Sequence, residues 1–194
     1  YVGDSLMTKS ALAIATALLI SGNVQADQSL QTNVKEGKGV IKAFFGDLKG
    51  ELEKGMKQSG PVDTIASCNI VAPSLAEGHS QMSGWEVGRT SLKLRNQKNS
   101  PDAWEEAVLK EFETRKSAGE DPMKLIKAEI VEEEGRKVFR MMKAIPTAEV
   151  CTKCHGETIA EPVAAKLDEL YPSDKARGYK VGDLRGAFTL KKSM

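Results

Sequence analysis

The chain has 194 residues, and its 28 Lys and Arg nearly balance its 27 Asp and Glu, which gives a formal net charge of +1. Such a balance gives no support for nucleic-acid binding, which depends on a clustered excess of positive charge. Without residues 1–26 the chain keeps 168 residues and the same net charge, enough for one compact domain with its own core.

Residues 7–26 have the pattern of a secretory signal peptide. Met7 and Lys9 form a short positive start, an apolar run extends from Ala11 to Ile20, and Ala26 ends an A-x-A-like cleavage site. An uncleaved amphipathic helix or membrane anchor fits less well, because the apolar run is short and polar residues follow it. The sequence therefore predicts export with cleavage near Ala26, no membrane span in the mature chain, and upstream sequence before Met7.

The next segments have helical periodicity. Apolar residues recur at three- and four-residue spacing from about 28 to 58, which predicts an amphipathic helix. Glycines within it argue against one unbroken rod; they are Gly37, Gly39, Gly46 and Gly50. A second helix is predicted at about 62–71, and Pro73 is expected to break or kink it before a short helix that continues to His79.

Strands and helices alternate in the rest of the chain. Ser100 is the predicted N-cap of a helix that ends near Ser117, with Pro101 at its first position and Asp102 as an early acid. Glu133 to Gly135 is the predicted turn of a hairpin. The predicted strands are 85–94, 124–131, 136–145 and 184–191, and a further helix is predicted at 161–170. The fold class is α+β, an antiparallel sheet covered by helices on one side.

Cys151-Thr152-Lys153-Cys154-His155 has the C-x-x-C-H form of a covalent c-type haem attachment site. Cys151 and Cys154 can add to the two haem vinyl groups, and His155 is placed to bind the iron. A zinc site is disfavoured because His155 directly beside Cys154 is poorly placed to share a tetrahedral ion. A thioredoxin-like dithiol would need both thiols free in another fold context. Haem c is attached outside the bacterial cytoplasm, so the export signal supports the motif.

The third cysteine, Cys68, is left over in an exported protein. It is an inert buried residue, an intermolecular disulfide partner or an iron ligand. His79 is the other ligand candidate and would give bis-histidine haem. Methionines are nominal candidates whose better interpretation is core filling; they are Met82, Met141 and Met142.

Haem propionates need cationic or hydrogen-bonding partners, and Arg suits carboxylates. Four arginines lie on strand-like segments, and one or two of them are expected near the propionates; they are Arg89, Arg95, Arg140 and Arg185. Tyr179 either donates a hydrogen bond to a propionate or packs in the core.

Several separate segments, in order, resemble one family: exported c-type haem-binding domains with a PAS-like fold, long classified as a domain of unknown function. The resemblance covers about 61–192. The matching segments are 66–68, 72–73, 88–96, 99–102, 139–143, 151–156, 171–179 and 182–187. It implies a PAS-like α+β fold, covalent haem at Cys151 and Cys154 with His155 proximal, and Cys68 on the other face of the iron.

The sequence thus predicts a periplasmic monohaem c-type cytochrome, with residues 1–26 as upstream and signal sequence, 27–60 as an N-terminal helix and 61–194 as the haem-binding domain. The expected cofactor is one covalent haem c, held by the motif with Arg89, Arg140 and Tyr179. One-electron transfer with a redox partner protein is the main functional hypothesis. The alternative is a redox or gas sensor that acts through a separate partner. No convincing catalytic acid or base is present, so we do not expect an enzyme.

Overall fold

The computed structural model describes the backbone of residues 11–194 and the side chains of residues 28–194. The predicted signal peptide, residues 7–26, lies outside the residues whose side chains are described. Within the described part, no helix combines the length and the apolar character that a membrane crossing requires.

Over residues 11–194, five α-helices and four strands form an α+β fold, which confirms the predicted class. The strands make one antiparallel sheet in the order β1-β4-β3-β2. The elements are α1 (Ala11–Gln58), α2 (Gly60–Ser83), β1 (Glu86–Thr90), α3 (Ala103–Ser117), β2 (Ile126–Glu133), β3 (Arg136–Pro146), α4 (Glu149–His155), α5 (Glu161–Leu170) and β4 (Leu184–Ser193), with 3-10 turns at Gln97–Asn99 and Pro122–Lys124.

The first two helices are more continuous than the sequence predicts. A Cβ added at Gly39, Gly46 or Gly50 would meet no atom within 4 Å, so these glycines lie on an open face and do not interrupt α1. Gly37 instead allows close packing, because its added Cβ would lie 2.9 Å from Met141 Sδ. The predicted break at Pro73 is wrong: α2 continues through it to Gly84, whose φ of 72° ends the helix.

Helix caps and turns set where the elements in the middle of the chain begin and end. The N-cap of α3 is Asp102, not Ser100, because the Asp102 side chain accepts a hydrogen bond from Glu105 N–H while Glu105 accepts one from Asp102 N–H. The first strand is shorter than predicted and ends at Thr90. The predicted hairpin is confirmed, with Glu134 and Gly135 at φ of 51° and 75° in a two-residue turn.

Helices cover both faces of the sheet, so the expectation of one covered side is wrong. Successive residues of a strand point to opposite faces. Met141 therefore packs in one cluster with Phe44 of α1, whereas Met142 packs in another with Phe112 of α3. Met141 and Met142 are adjacent apolar residues of β3, which is the pattern of a strand covered on both faces. The sequence therefore carried a signal for the second covered face.

Candidate functional site

The C-x-x-C-H motif lies on α4, a short helix that the sequence does not predict. Cys151 and Cys154 are three residues apart, so their side chains lie on the same helix face. Both are partly buried and neither forms a disulfide. The helix ends at Gly156, where a Cβ would lie 2.5 Å from the Thr152 carbonyl oxygen. The motif thus presents two free thiols on one surface, followed directly by His155.

His155 is held as a neutral imidazole with a defined tautomer. Its Nδ1 lies 2.7 Å from the Ala176 carbonyl oxygen, to which it donates its hydrogen, and this leaves the lone pair on Nε2. Burial, with the nearby Arg185 and Arg95 charges, lowers the pKa of His155 to about 3. Arg185 Nε lies 3.2 Å from Nδ1 and 3.4 Å from Nε2. A neutral imidazole with its lone pair on Nε2 is the form that binds a metal, and here that lone pair faces the two arginines.

Arg95 joins α4 to the loop that carries Ala176. Its Nη2 donates to the Cys154 carbonyl oxygen at 2.5 Å, to Asp174 Oδ2 at 3.2 Å and to the Ala176 carbonyl oxygen at 3.3 Å. Its Nη1 lies 3.4 Å from His155 Nε2. This single guanidinium therefore fixes the distance between the motif and the carbonyl that orients His155.

The Asp174 carboxylate stabilises both Arg95 and the loop that carries Ala176. Its side chain is 2% exposed and accepts hydrogen bonds from Arg95, from Ala176 N–H at 2.9 Å and from Arg177 Nε at 3.0 Å. Burial alone would raise the pKa of Asp174, but these hydrogen bonds and the Arg95 charge lower it. The loop is thereby anchored by a carboxylate that remains ionised at neutral pH.

Tyr179 lies beside the motif. Its backbone N–H donates to the His155 carbonyl oxygen at 2.9 Å, and Gly178 N–H donates to that of Gly156 at 3.0 Å. Its ring stands edge-on to the imidazole, with centroids 6.3 Å apart. Tyr179 thus packs against His155 and also fastens the loop to the end of α4.

Cys68 lies on the side of α2 that faces the motif. Ile65, one turn earlier, packs against α5 in an apolar cluster that Cys154 also contacts. Burial raises the pKa of the Cys68 thiol, whereas the Arg89 charge opposes that rise. Burial chiefly raises the pKa of the Cys154 thiol, and a negative charge on Cys68 adds to that rise. The structure thus brings Cys68 and the motif together.

Two arginines near these cysteines have no acidic partner. Arg89 and Arg185 are partly buried, and within residues 28–194 neither lies within 4 Å of a carboxylate. Burial lowers the pKa of both, and the charge of Arg185 also lowers that of Arg89. Because uncompensated cations are costly to bury, this pair is suited to a ligand that carries negative charge.

Arg140 is placed elsewhere. Its buried guanidinium lies 2.6 Å from Asp102 Oδ2, 3.0 Å from Glu133 Oε1 and 3.5 Å from Glu105 Oε1. It also stacks over Trp104 at 4.4 Å from the ring centroid. The structure does not bring Arg140 to the motif, because three carboxylates beside α3 already compensate its charge.

The alternative ligand, His79, is a residue of α2 whose side chain contacts α1. Its Nε2 lies 2.8 Å from Asp47 Oδ2, and its ring packs against Phe44 at 5.4 Å between centroids. Among the methionines, Met82 is exposed whereas Met141 and Met142 are fully buried in the core. The contacts described for His79 are thus made with α1 and not with α4.

The sequence gives no role to Asp174 or Ala176. Both lie in the segment 171–179, which matches the resembled family. That match is the sequence signal that could have pointed to them. Ala176 acts through its backbone carbonyl, which has no sequence signature, and Asp174 acts through a distant arginine.

The comparisons with known proteins agree with this architecture. Residues 6–193 match the Tll0287-like family. A crystal structure of the cyanobacterial heme-protein Tll0287 superposes with a TM-score of 0.64 and 23% sequence identity, over 84% of this chain and 95% of that one. At this identity the superposition establishes a common fold. No curated protein matches the chain significantly.

Proposed function

The chain belongs to the Tll0287-like family, and from this premise we propose that it is an exported c-type cytochrome that carries one covalent haem and transfers single electrons. The family membership agrees with the resemblance drawn from the sequence, and the related solved protein is a heme-protein.

The state of His155 is the observation that carries the proposal. Its Nδ1–H is donated to Ala176, and Nε2 keeps its lone pair. Its lowered pKa keeps the ring neutral throughout the physiological range. A proximal haem ligand needs this tautomer, with the opposite nitrogen hydrogen-bonded to a carbonyl.

The other residues of the site fit the same group. Cys151 and Cys154 supply two thiols on one helix face for thioether formation. Arg89 and Arg185 supply positive charge without a protein carboxylate, which suits the haem propionates. A haem held by these residues would supply one-electron redox chemistry. We propose electron transfer and not catalysis, because among residues 28–194 no carboxylate is hydrogen-bonded to His155.

Replacing both motif cysteines tests the attachment. Cys151→Ser with Cys154→Ser should yield an exported protein without covalent haem, because serine cannot form the thioether links. The measurement is the absorption of the alkaline pyridine adduct together with the intact mass. Cys68→Ser is the matched control, because it removes a thiol from the same region and should retain the haem mass. Covalent haem in the double variant would contradict the proposal.

Export is part of the same proposal. We propose a periplasmic location because residues 7–26 match a signal peptide and haem c is attached outside the cytoplasm. The N-terminal sequence of the mature protein from a periplasmic extract should begin just after Ala26. A mature protein that retains Met7 would contradict it.

Cys68 supports a second candidate function, redox or gas sensing. Burial raises the pKa of its thiol, so the thiolate form depends on the iron. We propose Cys68 as the ligand opposite His155, and a ligand that weakens on reduction would open a site for a diatomic gas. An electron carrier would keep both axial positions filled in both oxidation states.

Replacing Cys68 separates these possibilities. Cys68→Ala should change the ferric absorption spectrum and raise the midpoint potential, because a thiolate stabilises ferric iron. His79→Ala should leave the spectrum unchanged, since His79 is bound to Asp47. The reverse pattern would identify His79 as the ligand. Carbon monoxide binding by the reduced protein would favour sensing over electron transfer.

A further inference from the structure

The nearly neutral chain has an uneven charge distribution. Three segments surround the motif: 89–98, 149–157 and 173–185. Together they carry nine Lys and Arg against four Asp and Glu, which leaves 19 against 23 in the rest of the chain. These segments therefore carry a net charge of +5, whereas the rest of the chain carries −4.

Four lysines form the outer part of this surface, and we call them the lysine rim: Lys93, Lys98, Lys153 and Lys175. All four are exposed, and within residues 28–194 none of them forms a salt bridge. Of the other cations in the three segments, the exposed Lys180 pairs with Glu157 at 3.5 Å and the half-buried Arg177 pairs with Asp168 at 2.6 Å. The rim is thus a bounded patch of unpaired positive charge.

Contacts between the three segments place the rim around the motif. Lys175 N–H donates to the Leu94 carbonyl oxygen at 2.8 Å. Gln97, beside Lys98, donates to the Ser173 carbonyl oxygen at 3.2 Å. Lys93 Nζ lies 5.2 Å from the centroid of the Tyr179 ring, which itself packs on His155. Lysines that are distant in sequence therefore share one side of the molecule.

We propose that the lysine rim is the docking surface for an acidic electron-transfer protein. This inference rests on the proposed function, because electrons must enter or leave where the cofactor is nearest to the surface. Arg89 and Arg185 are partly buried and suit the cofactor's own carboxylates, whereas the exposed lysines remain for a partner. Complementary charge of this kind accelerates encounter and fixes orientation more than it adds affinity.

The shape of the patch favours a protein over a membrane. Anionic bilayers attract extended polybasic segments or amphipathic helices with an apolar face. The rim instead consists of single lysines from three segments, and the Lys180–Glu157 and Arg177–Asp168 pairs limit its extent. Separate point charges around a centre are typical of the polar border of a protein interface.

The test uses the holoprotein and two small oxidants of opposite charge. Stopped-flow oxidation of the reduced protein by ferricyanide should slow about tenfold between low and high salt, and oxidation by tris(phenanthroline)cobalt(III) should accelerate. Lys93→Glu with Lys175→Glu should remove the salt dependence or reverse its sign. Lys35→Glu with Lys137→Glu is the matched control, because it makes the same charge change at exposed, unpaired lysines outside the three segments; the neighbouring Asn33 contacts Met194, whose N–H donates to the Lys137 carbonyl oxygen.

Poly-L-glutamate serves as the acidic polypeptide probe. The holoprotein should bind it at low salt, and Lys93→Glu with Lys175→Glu should weaken that binding at least about tenfold while the control pair changes it little. Sedimentation with phosphatidylglycerol vesicles that the same variant abolishes would assign the rim to a membrane and overturn the proposal. A haem protein with equal salt dependence in both variants would also overturn it. A colourless protein would instead contradict the proposed function.

Discussion

At the residue scale, the orientation of His155 depends on a carboxylate that does not touch it. Asp174 binds Arg95, and Arg95 binds the carbonyls of Cys154 and Ala176. Ala176 in turn accepts the hydrogen of His155 Nδ1. Asp174 is thus a positioning residue: it acts on the imidazole through Arg95 and Ala176, and its loss would leave the Arg95 charge without an acidic partner, whereas Arg177 would keep Asp168.

Asp174→Asn should therefore lower the free energy of unfolding by about 2–4 kcal/mol, because breaking a buried charge pair leaves its partner unpaired. Denaturant unfolding followed by circular dichroism measures this change. Asp168→Asn is the matched control, since the 69% exposed Asp168 also binds Arg177 and should cost at most about 0.5 kcal/mol.

A second readout separates positioning from general destabilisation. In the folded Asp174→Asn protein, the Nδ1–H resonance of His155 in nuclear magnetic resonance should exchange faster with water, because the Ala176 carbonyl is less firmly held. An unchanged exchange rate at lower stability would assign Asp174 a purely structural role.

At the element scale, Asp102 performs two functions at the start of α3. Its Oδ1 accepts from Glu105 N–H at 2.8 Å, and its Oδ2 accepts from Arg140 at 2.6 Å. Burial alone would raise the pKa of Asp102, but these two hydrogen bonds lower it below its ordinary value. A carboxyl with a depressed pKa contributes stability above its unfolded pKa of about 4 and loses that contribution as the pH falls.

Two substitutions separate the cap from the charge. Asp102→Asn keeps an acceptor for Glu105 N–H but removes the charge that faces Arg140, so its stability deficit should shrink as the pH falls from about 5 to 3. Asp102→Ala should be less stable than Asp102→Asn by about 1 kcal/mol at every pH, because the cap is also lost. Thermal unfolding across this pH range measures both, and a deficit of Asp102→Asn that is constant with pH would contradict the assignment.

At the scale of the whole molecule, α1 is part of the core and not an appendage. Phe44 of α1 is fully buried and packs edge-on against Phe188 of β4, with ring centroids 5.7 Å apart. Glu36 Oε1 accepts from Trp85 Nε1 at 2.9 Å, and Gly37 lets the helix approach Met141. The helix and the sheet should therefore unfold together.

Phe44→Ala should lower the free energy of unfolding by about 3–5 kcal/mol, because a large aromatic side chain leaves a cavity between α1 and the sheet. Phe45→Ala is the matched control, since Phe45 is 47% exposed, and its loss should cost about 1 kcal/mol or less. Urea unfolding should give coincident transitions by circular dichroism and by tryptophan fluorescence. Separate transitions would show that α1 unfolds independently.

A structural feature is predictable from the sequence when the residues that determine it are close together along the chain. The hairpin at Glu134, the helix α5 and the strand β4 are predicted because local turns and periodicity determine them. Continuity through Pro73 is not predicted, since packing of α2 against α1 and α5 overrides the local preference. The motif is predicted from its spacing, whereas the support of His155 depends on contacts between residues 60 to 80 positions apart.

Pro73 also has a consequence for the thiol one turn earlier. A proline has no N–H to donate, so the Asn69 carbonyl receives no hydrogen bond from position 73, and one rung of the helical ladder is missing directly after Cys68. Fewer restraints at that rung lower the free energy needed to shift the backbone there. The C-terminal half of α2 is held to α1 by the hydrogen bond between His79 and Asp47. The turn after Cys68, the one cysteine of α2, lacks a backbone hydrogen bond and is easier to deform.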